Sequence, residues 1–229
     1  GRKISFHQHN TRTRLPQLLE LLAEGNSLAV ISDAGLPGIS DPGEELSAAA
    51  RSAGFPVICI PGPCAATTAL VCSGLPSARF CFEGFLPVKG RERKTRLEAI
   101  AAEQRTSVLY EAPHRLITLL EELEQLCGAD RPLQVARELT KRHEQQVGPT
   151  IAAALEHFGT HRPQGEFPLV LGGCPAEAEI ELDDATLLDR MNTAMQTGTS
   201  ASSAARQLAS ETGISRRRLY GLIHHNAAD

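Results

Sequence analysis

The stretch SDAGLPGISDPG, residues 32–43, follows the apolar run SLAVI and holds three glycines, two prolines and two aspartates. In open α/β sheets, ligands bind beyond the carboxyl ends of strands, where loops of this kind lead into helices. Asp33 can accept hydrogen bonds from a ligand there, and Gly35 allows the main chain to approach it closely. For Asp41 the sequence favours a structural role, as the cap of the following helix. The stretch is therefore either a strand-to-helix turn or one wall of a ligand site.

Strand-like and helix-like segments alternate on both sides of this loop. The runs SLAVI (27–31) and PVICIPG (56–62) predict buried strands, while helical patterns cover 14–24, 43–54 and 64–74. The order strand, loop, helix, strand is typical of parallel βαβ packing. The first part of the chain is therefore predicted to contain a parallel sheet.

The whole chain predicts an α/β protein with four parts. We expect an N-terminal α/β domain at 1–76, a second α/β domain at 77–175, an acidic linker at 176–184 and a small helical unit at 185–229. The last part includes AARQLASETGISRRRLYGLI, which has the spacing of a helix-turn-helix. A DNA-binding regulator is therefore one alternative function.

Composition excludes several classes of protein. The 229 residues carry a net charge of -4, which excludes a uniformly basic nucleic-acid coat but not a local basic patch. The chain has six cysteines without a C-x-x-C pair, so we expect small buried thiols in a reducing cytosol and no metal site. No membrane-spanning run and no signal peptide is recognisable, and we therefore expect a cytoplasmic protein.

Two further polar loops follow predicted strands. YEAPHR (110–115) places Glu111 and His114 just beyond one strand, and ARELTKRHE (136–144) places Glu138 beyond another. Either loop alone is more simply explained as an ordinary solvated connection. The sequence has no G-x-G-x-x-G and no P-loop motif, so a standard dinucleotide or nucleoside-triphosphate site is poorly supported.

Six motifs taken together resemble one family. SDAGLPGISDPG, PGPCA, FEGFLP, YEAPHR, ARELTK and GEFPLVL occur in the order and approximate spacing seen in bacterial methyltransferases of the tetrapyrrole-methylase-like superfamily. The most similar branch methylates the ribose 2′-hydroxyl of a cytidine in small-subunit ribosomal RNA. The resemblance covers about residues 3–173. It implies two α/β domains with a cleft between them that binds S-adenosylmethionine, and a reaction that requires no metal.

The resemblance also implies which residues form the site, at the positions of this sequence that match the family's motifs. Cofactor contacts are expected from Asp33, Ala34, Gly35, Ile39, Ser40, Cys64, Ala65, Tyr110, Ala136, Arg137, Pro168 and Leu169. The candidate catalytic bases are Glu111, His114 and Glu138, which the sequence does not rank. Attraction of ribosomal RNA is expected from Arg91, Arg93, Lys94, Arg96, Lys141 and Arg142.

The chain departs from the family pattern in three respects. Leu36 stands where threonine is usual and Cys64 where serine is usual, so each position loses or weakens a polar contact. Family members also begin with a further strand and a glycine-rich loop, and we expect that strand to be central to the first domain and this sequence to be incomplete. The resemblance further implies a homodimer. Methylation of a tetrapyrrole or another small molecule is the nearer alternative function.

Overall fold

The computed structural model describes residues 3–7, 9–32, 35–175, 183–196 and 198–225. Its helices are α1 (Thr11–Ala23), α2 (Glu44–Ser52), α3 (Ala65–Ser73), α4 (Arg91–Ala102), α5 (Leu116–Cys127), α6 (Ile151–Thr160), α7 (Asp184–Gln196), α8 (Ala201–Thr212) and α9 (Arg216–His225). Its strands are β1 (Phe80–Phe85), β2 (Thr106–Glu111), β3 (Leu133–Arg137), β4 (Gln145–Val147) and β5 (Phe167–Leu171).

The chain divides into two units, Gly1–Cys174 and Pro175–Asp229. The expected boundary near residue 76, inside the first unit, stays a prediction. The linker expected at 176–184 also stays a prediction, because residues 176–182 lie outside the described residues.

Five strands of the described residues pair in the order β1-β2-β5-β3-β4. β1 and β2 are parallel and are connected through α4, whereas β5 is antiparallel to both β2 and β3. A parallel pair needs such a crossover, and a helix usually supplies it. β1, β2 and β3 therefore run in one direction, and their carboxyl ends reach the same edge of the sheet. The expected α/β class is confirmed.

Helices cover both faces of the sheet, and the alternation of side chains decides which core each strand residue joins. Leu109 and Leu169 belong to the larger core under α4, α5 and α6. Val108 belongs to the smaller core under α3, where Ala66 and Ala69 allow the helix to lie close to the strands. Full burial of one leucine or valine contributes about 1.5–3 kcal/mol. The central strands are therefore held from both sides.

Two predicted strands are not strands in the structure. Residues 27–31 and 56–62 form no β-ladder with any described segment, and Ile31, Ile58 and Ile60 are 82%, 81% and 77% exposed. The apolar pattern fits a buried strand, but a strand also needs neighbours that bond its amides and carbonyls. No described strand lies beside these segments, so the parallel sheet predicted for this part of the chain is wrong.

The cysteines are also less buried than expected. All six are free thiols, and Cys59 and Cys72 are exposed. Cys59 lies in the unpaired segment 56–62, and Cys72 lies on α3 away from the sheet. The described residues contain no group of three or more histidine, cysteine or acidic side chains able to hold a metal ion. None of the helices in the described ranges has the length and apolarity that a bilayer crossing needs.

The second unit contains α7, α8 and α9 within the described residues. Its core consists of Leu187, Met191, Ala204, Ala205, Leu208 and Leu219. Ser215 caps α9 by accepting a hydrogen bond from the Arg218 amide at 3.3 Å. Arg216 donates to Ser202 Oγ at 2.7 Å, and Arg218 donates to Asp184 Oδ1 at 2.9 Å. Two of the three arginines that would begin a DNA-recognition helix are therefore bonded within the unit.

Candidate functional site

Three polar loops meet at one edge of the sheet. They follow β1, β2 and β3 and begin at Leu86, Ala112 and Glu138. Because these strands share a direction, the loops leave the sheet along one edge, where open α/β sheets bind ligands. The start of β5 lies between the second and third loops. The sequence indicates that each loop follows a strand, but the sheet order is needed to bring the loops together.

Tyr110 lies at this edge, on the face that α3 covers. Its ring packs edge-on against Phe82, with 5.3 Å between centroids, and at a tilt against Phe85 at 5.5 Å. The pKa of Tyr110 is raised to about 12, chiefly by burial and secondly by the neighbouring Cys64 thiol. A hydrogen bond with the Ala66 backbone lowers this pKa in part. The hydroxyl is therefore neutral at pH 7 and can donate a hydrogen bond.

Small and apolar residues surround the Tyr110 ring. Cys64 and Tyr110 pack against the smaller core, which includes Ala136. Pro168 is the cross-strand partner of Tyr110. Ala65 is the first residue of α3, and the amides of a first helical turn have no partners within their own helix. An apolar wall beside a phenol and a helix N-terminus suits a planar heterocycle.

The loop 35–43 packs against this wall. A Cβ added at Gly84 would lie 3.2 Å from Ser40 Oγ, and one added at Gly35 would lie 3.3 Å from the Pro63 carbonyl oxygen. The φ angles of Gly35 and Gly84 are 75° and 59°, which disfavour any other residue. The loop therefore touches both the Pro-Gly turn before α3 and the end of β1.

Asp41 closes this loop and does not cap α2. Ser32 Oγ donates to Asp41 Oδ2 at 2.5 Å, while α2 follows Gly43 without a side-chain cap. The predicted capping role is wrong because the carboxylate is bonded across the loop. Of the cofactor residues expected here, Gly35, Ile39 and Ser40 are exposed, and Asp33 and Ala34 lie outside the described residues.

Two residues expected to contact the cofactor face away from α3. The Leu169 side chain is fully buried in the larger core. Arg137 follows Val135 on that same face by strand alternation. Its Nε is buried without a hydrogen-bond partner among the described residues. The Leu169 side chain therefore does not face a ligand beside Tyr110, and the contact expected from this residue stays a prediction that its backbone would have to fulfil.

Glu111 is the most buried of the three candidate catalytic residues. It is 0% exposed, and its Oε1 accepts hydrogen bonds from Arg115 Nε at 2.6 Å and from the Ala112 amide at 2.9 Å. Its Oε2 lies 3.9 Å from Arg93 Nη1 and has no hydrogen-bond partner among the described residues. Glu111 therefore faces two arginines inside the protein and is closed to a substrate.

Arg93 and Arg115, which face Glu111, also connect the loop after β1 with the loop after β2. Arg93 Nε donates to both carboxylate oxygens of Glu122, at 3.2 and 3.1 Å, and Arg93 Nη1 donates to the Pro87 carbonyl at 2.9 Å. Arg115 Nη2 donates to the Leu86 carbonyl at 3.3 Å. We call Arg93, Glu111, Arg115 and Glu122 the buried ion network. It ties the loop after β1 to the loop after β2.

His114 and Glu138 are accessible to a substrate. His114 is exposed and lines a cleft between α4 and α5. Glu138 is partly exposed and has a φ of 49°, and its Oε1 accepts from Lys141 Nζ at 3.0 Å. Glu138 stands two residues beyond Ala136, which packs in the core beneath Tyr110. His114 thus lies beyond β2 beside the cleft, and Glu138 lies beyond the end of β3.

Arg93 and Arg96 are the least exposed of the six basic residues expected to attract RNA, and both are bonded within the fold. Arg93 is 6% exposed and belongs to the buried ion network. Arg96 Nη2 donates to the carbonyl and the carboxylate of Glu83, at 2.6 and 2.7 Å. A phosphate contact from Arg93 is wrong because its charge is compensated inside the protein. Arg91, Lys94, Lys141 and Arg142 are exposed.

Three residues of this region are not expected from the sequence. Phe82 and Phe85 both contact Tyr110 although they are three residues apart, because the register of β1 shifts between Phe82 and Gly84. Their signals in the sequence are the aromatic run FCFEGF and the motif FEGFLP, neither of which assigns them to the site. Glu122 has no local signal, since its partner Arg93 is 29 residues away.

Residues 2–155 match the family model described as Tetrapyrrole (Corrin/Porphyrin) Methylases. The chain belongs to the tetrapyrrole methylase family. Among curated relatives of this tetrapyrrole methylase, the Ribosomal RNA small subunit methyltransferase I of Synechocystis sp. is 47% identical, over 99% of this chain and 81% of the relative. The protein of the same name from Haemophilus influenzae is 45% identical, over 75% of this chain and 62% of the relative.

Solved structures share the fold of this tetrapyrrole methylase. The methyltransferase CobJ matches with a TM-score of 0.55 at 23% identity, covering 70% of each chain. The uroporphyrin-III C-methyltransferase of Thermus thermophilus, complexed with S-adenosyl homocysteine, matches with a TM-score of 0.53 at 21% identity, covering 75% of this chain and 77% of that chain. The expected family, fold class and methyltransferase type of enzyme are confirmed.

Proposed function

We propose that this tetrapyrrole methylase transfers a methyl group from S-adenosylmethionine to the ribose 2′-hydroxyl of a cytidine in small-subunit ribosomal RNA. The observation that carries the substrate class is 47% identity, over 99% of the chain, to a protein named Ribosomal RNA small subunit methyltransferase I. A cytoplasmic location belongs to this proposal, because ribosomal RNA is found there. A homodimer is also part of this proposal, and it rests on the family resemblance alone.

The edge around Tyr110 fits S-adenosylmethionine. Cys64, Ala136 and Pro168 are small or apolar neighbours of Tyr110, a lining that suits a planar base, and the neutral phenol can donate a hydrogen bond to it. Ser40, on the loop packed against β1, adds a hydroxyl to the same region. When bound, the cofactor supplies a methyl group that is activated by a sulfonium centre.

The protein contributes alignment and proton removal. Holding the hydroxyl in line with the methyl group is worth up to about 7–11 kcal/mol of the barrier. We assign the general base to Glu138, because it is partly exposed at the end of β3 and is held in place by Lys141. Its carboxylate takes the proton that the ribose hydroxyl loses as the carbon–oxygen bond forms. Glu111 holds the adjoining loops through the buried ion network.

Transfer of labelled methyl groups to small ribosomal subunits that lack the modification tests this function. A Glu138→Gln variant should lower kcat by about 10²–10⁴-fold, because a positioned base contributes that much. Glu156→Gln is the matched control, since Glu156 is exposed on α6 and should leave kcat unchanged. Equal rates in both variants would remove Glu138 from the role of base.

The small-molecule alternative gives a different result in the same assay. A tetrapyrrole methyltransferase would label a porphyrinoid acceptor and leave ribosomal subunits unlabelled. The exposed cations Arg91 and Lys94 beside the strand ends favour a polyanionic substrate. Labelling of the porphyrinoid alone would overturn the RNA proposal.

A further inference from the structure

We propose that the cleft between α4 and α5 binds the phosphodiester backbone of the substrate RNA, as a second contact outside the methyl-transfer site. This inference rests on the proposed function, since it requires an RNA substrate. The cleft has a volume of about 670 Å³, and Lys89, Lys94, His114, Arg115, Glu122 and Leu126 are among the residues that line it. We call it the α4–α5 cleft. Pockets of about 300–1,000 Å³ are typical of small-ligand sites, so a nucleotide unit fits.

The charges of the cleft complement a polyanion. Its lining includes four cationic side chains, Lys89, Arg93, Lys94 and Arg115, and two carboxylates, Glu98 and Glu122. Glu111 lies behind the lining and faces Arg93 and Arg115. With Glu111 counted, the cleft keeps an excess of one positive charge, in a chain whose net charge is -4. A local excess of positive charge on an acidic protein attracts polyanions to that place.

The two lysines are the cations available to a ligand. Arg93 and Arg115 are already compensated within the buried ion network. Lys89 is exposed and has no hydrogen-bond or ion-pair partner in the described part of the chain. Lys94 meets Glu98 at 3.8 Å, but its side chain is 79% exposed, and such a surface pair is worth little. Both lysines can therefore exchange water for phosphate oxygens.

The walls of the cleft suit a nucleotide better than a free phosphate ion. Val88 is 71% exposed and Leu126 is 45% exposed, and both line the cleft beside the lysines. Such apolar surface can cover a sugar or the face of a base while the lysines contact phosphate. The ion pair of Arg93 and Glu122 joins α4 to α5, so the cleft is formed before binding and less ordering is needed.

The position of the cleft connects it to the proposed methyl-transfer site. The loop after β2 supplies His114 and Arg115 to the cleft, and β2 itself supplies Tyr110 to the opposite face. An RNA strand that crosses the ends of β1 and β2 would contact both places. Backbone contacts of this kind fix the position of the RNA but carry no sequence information.

Binding of a protein-free small-subunit ribosomal RNA transcript to the full chain, measured over a range of salt concentrations, tests the proposal. The double variant Lys89→Gln/Lys94→Gln should bind the RNA about tenfold more weakly or worse, since charged hydrogen bonds are lost. The slope of log affinity against log salt should fall by about 0.7 for each lysine. Affinity for S-adenosylmethionine should not change. Arg79→Gln is the matched control, because Arg79 is exposed before β1 at the opposite edge of the sheet.

Three results would overturn the inference, and they are distinguishable. If the wild-type chain methylates ribosomal subunits and the double variant binds RNA with unchanged affinity and slope, the cleft is not an RNA site. If the double variant loses affinity for whole subunits but not for protein-free RNA, the cleft contacts a ribosomal protein. If the wild-type chain neither binds the transcript nor labels the subunits, the proposed function itself fails.

Discussion

The substitution Glu111→Gln tests the buried ion network directly. Glutamine keeps the shape of the side chain and can still accept the hydrogen bond of the Ala112 amide, which measures 2.9 Å in the structure. It removes the negative charge that faces Arg93 and Arg115, whose side chains are 7% and 17% exposed. Arg93 would then keep Glu122, whereas Arg115 would keep only the Leu86 carbonyl and would lose its carboxylate partner among the described residues.

The expected loss of stability follows from this burial. Removing one partner of a buried ion pair costs about 3–5 kcal/mol. Arg93 keeps Glu122, whose side chain is 32% exposed, and the glutamine retains a hydrogen bond, so we expect a value near the lower limit, about 3 kcal/mol. In a protein of this size a loss of 1 kcal/mol lowers Tm by about 2–4 °C, and Tm should therefore fall by roughly 6–12 °C.

Urea unfolding followed by far-ultraviolet circular dichroism measures this loss, with an unchanged m-value as the sign of an intact fold. Glu98→Gln is the matched control, because the Glu98 side chain is 53% exposed and meets Lys94 at 3.8 Å. Its free energy of unfolding should change by less than about 0.5 kcal/mol. The reasoning is refuted if Glu111→Gln changes stability as little as Glu98→Gln does.

Two further predictions concern the α3 side of the edge. Gly84→Ala should cost about 1–3 kcal/mol and weaken S-adenosylmethionine binding measured by calorimetry, because φ is 59° and the new Cβ would lie 3.2 Å from Ser40 Oγ. Gly25→Ala shares the positive φ but has open space around it, so it should leave cofactor binding intact. Absorbance titration should show Tyr110 deprotonating near its pKa of about 12. Because this pKa is raised above the ordinary value of about 10, the protonated Tyr110 contributes to the free energy of unfolding fully below about pH 10, and the contribution is lost as the pH rises towards 12. The Tyr110→Phe variant lacks the phenol hydroxyl, so its free energy of unfolding should not show that loss.

Local patterns were sufficient for most elements between residues 77 and 175. β1, β2, α4 and α5 each carry an apolar run or a helical period bounded by glycine or proline, and such signals need no information from distant residues. β4 was missed because Gln145–Val147 is short and polar. It is a strand only because it pairs with the outer side of β3.

The same local patterns failed where pairing decides the structure. Residues 27–31 and 56–62 have the composition of buried strands, yet they form no ladder with the described residues, and Ile58 is 81% exposed. Hydrophobicity indicates that a segment can be buried. Whether it becomes a strand depends on a neighbour that no single segment contains.

The order of six short motifs was enough to predict the family, because each motif is local. YEAPHR and ARELTK also begin at the ends of β2 and β3, so the polar loops after these strands were predictable. The chemical surroundings of those residues depended on the assembled sheet. Tyr110 meets two phenylalanines because β1 is irregular beside Gly84, and Glu111 is enclosed because Arg93, 18 positions earlier, packs against it. The direction of a side chain depends on strand register, and its burial depends on partners that are distant in the sequence. Neither can therefore be predicted from the local sequence.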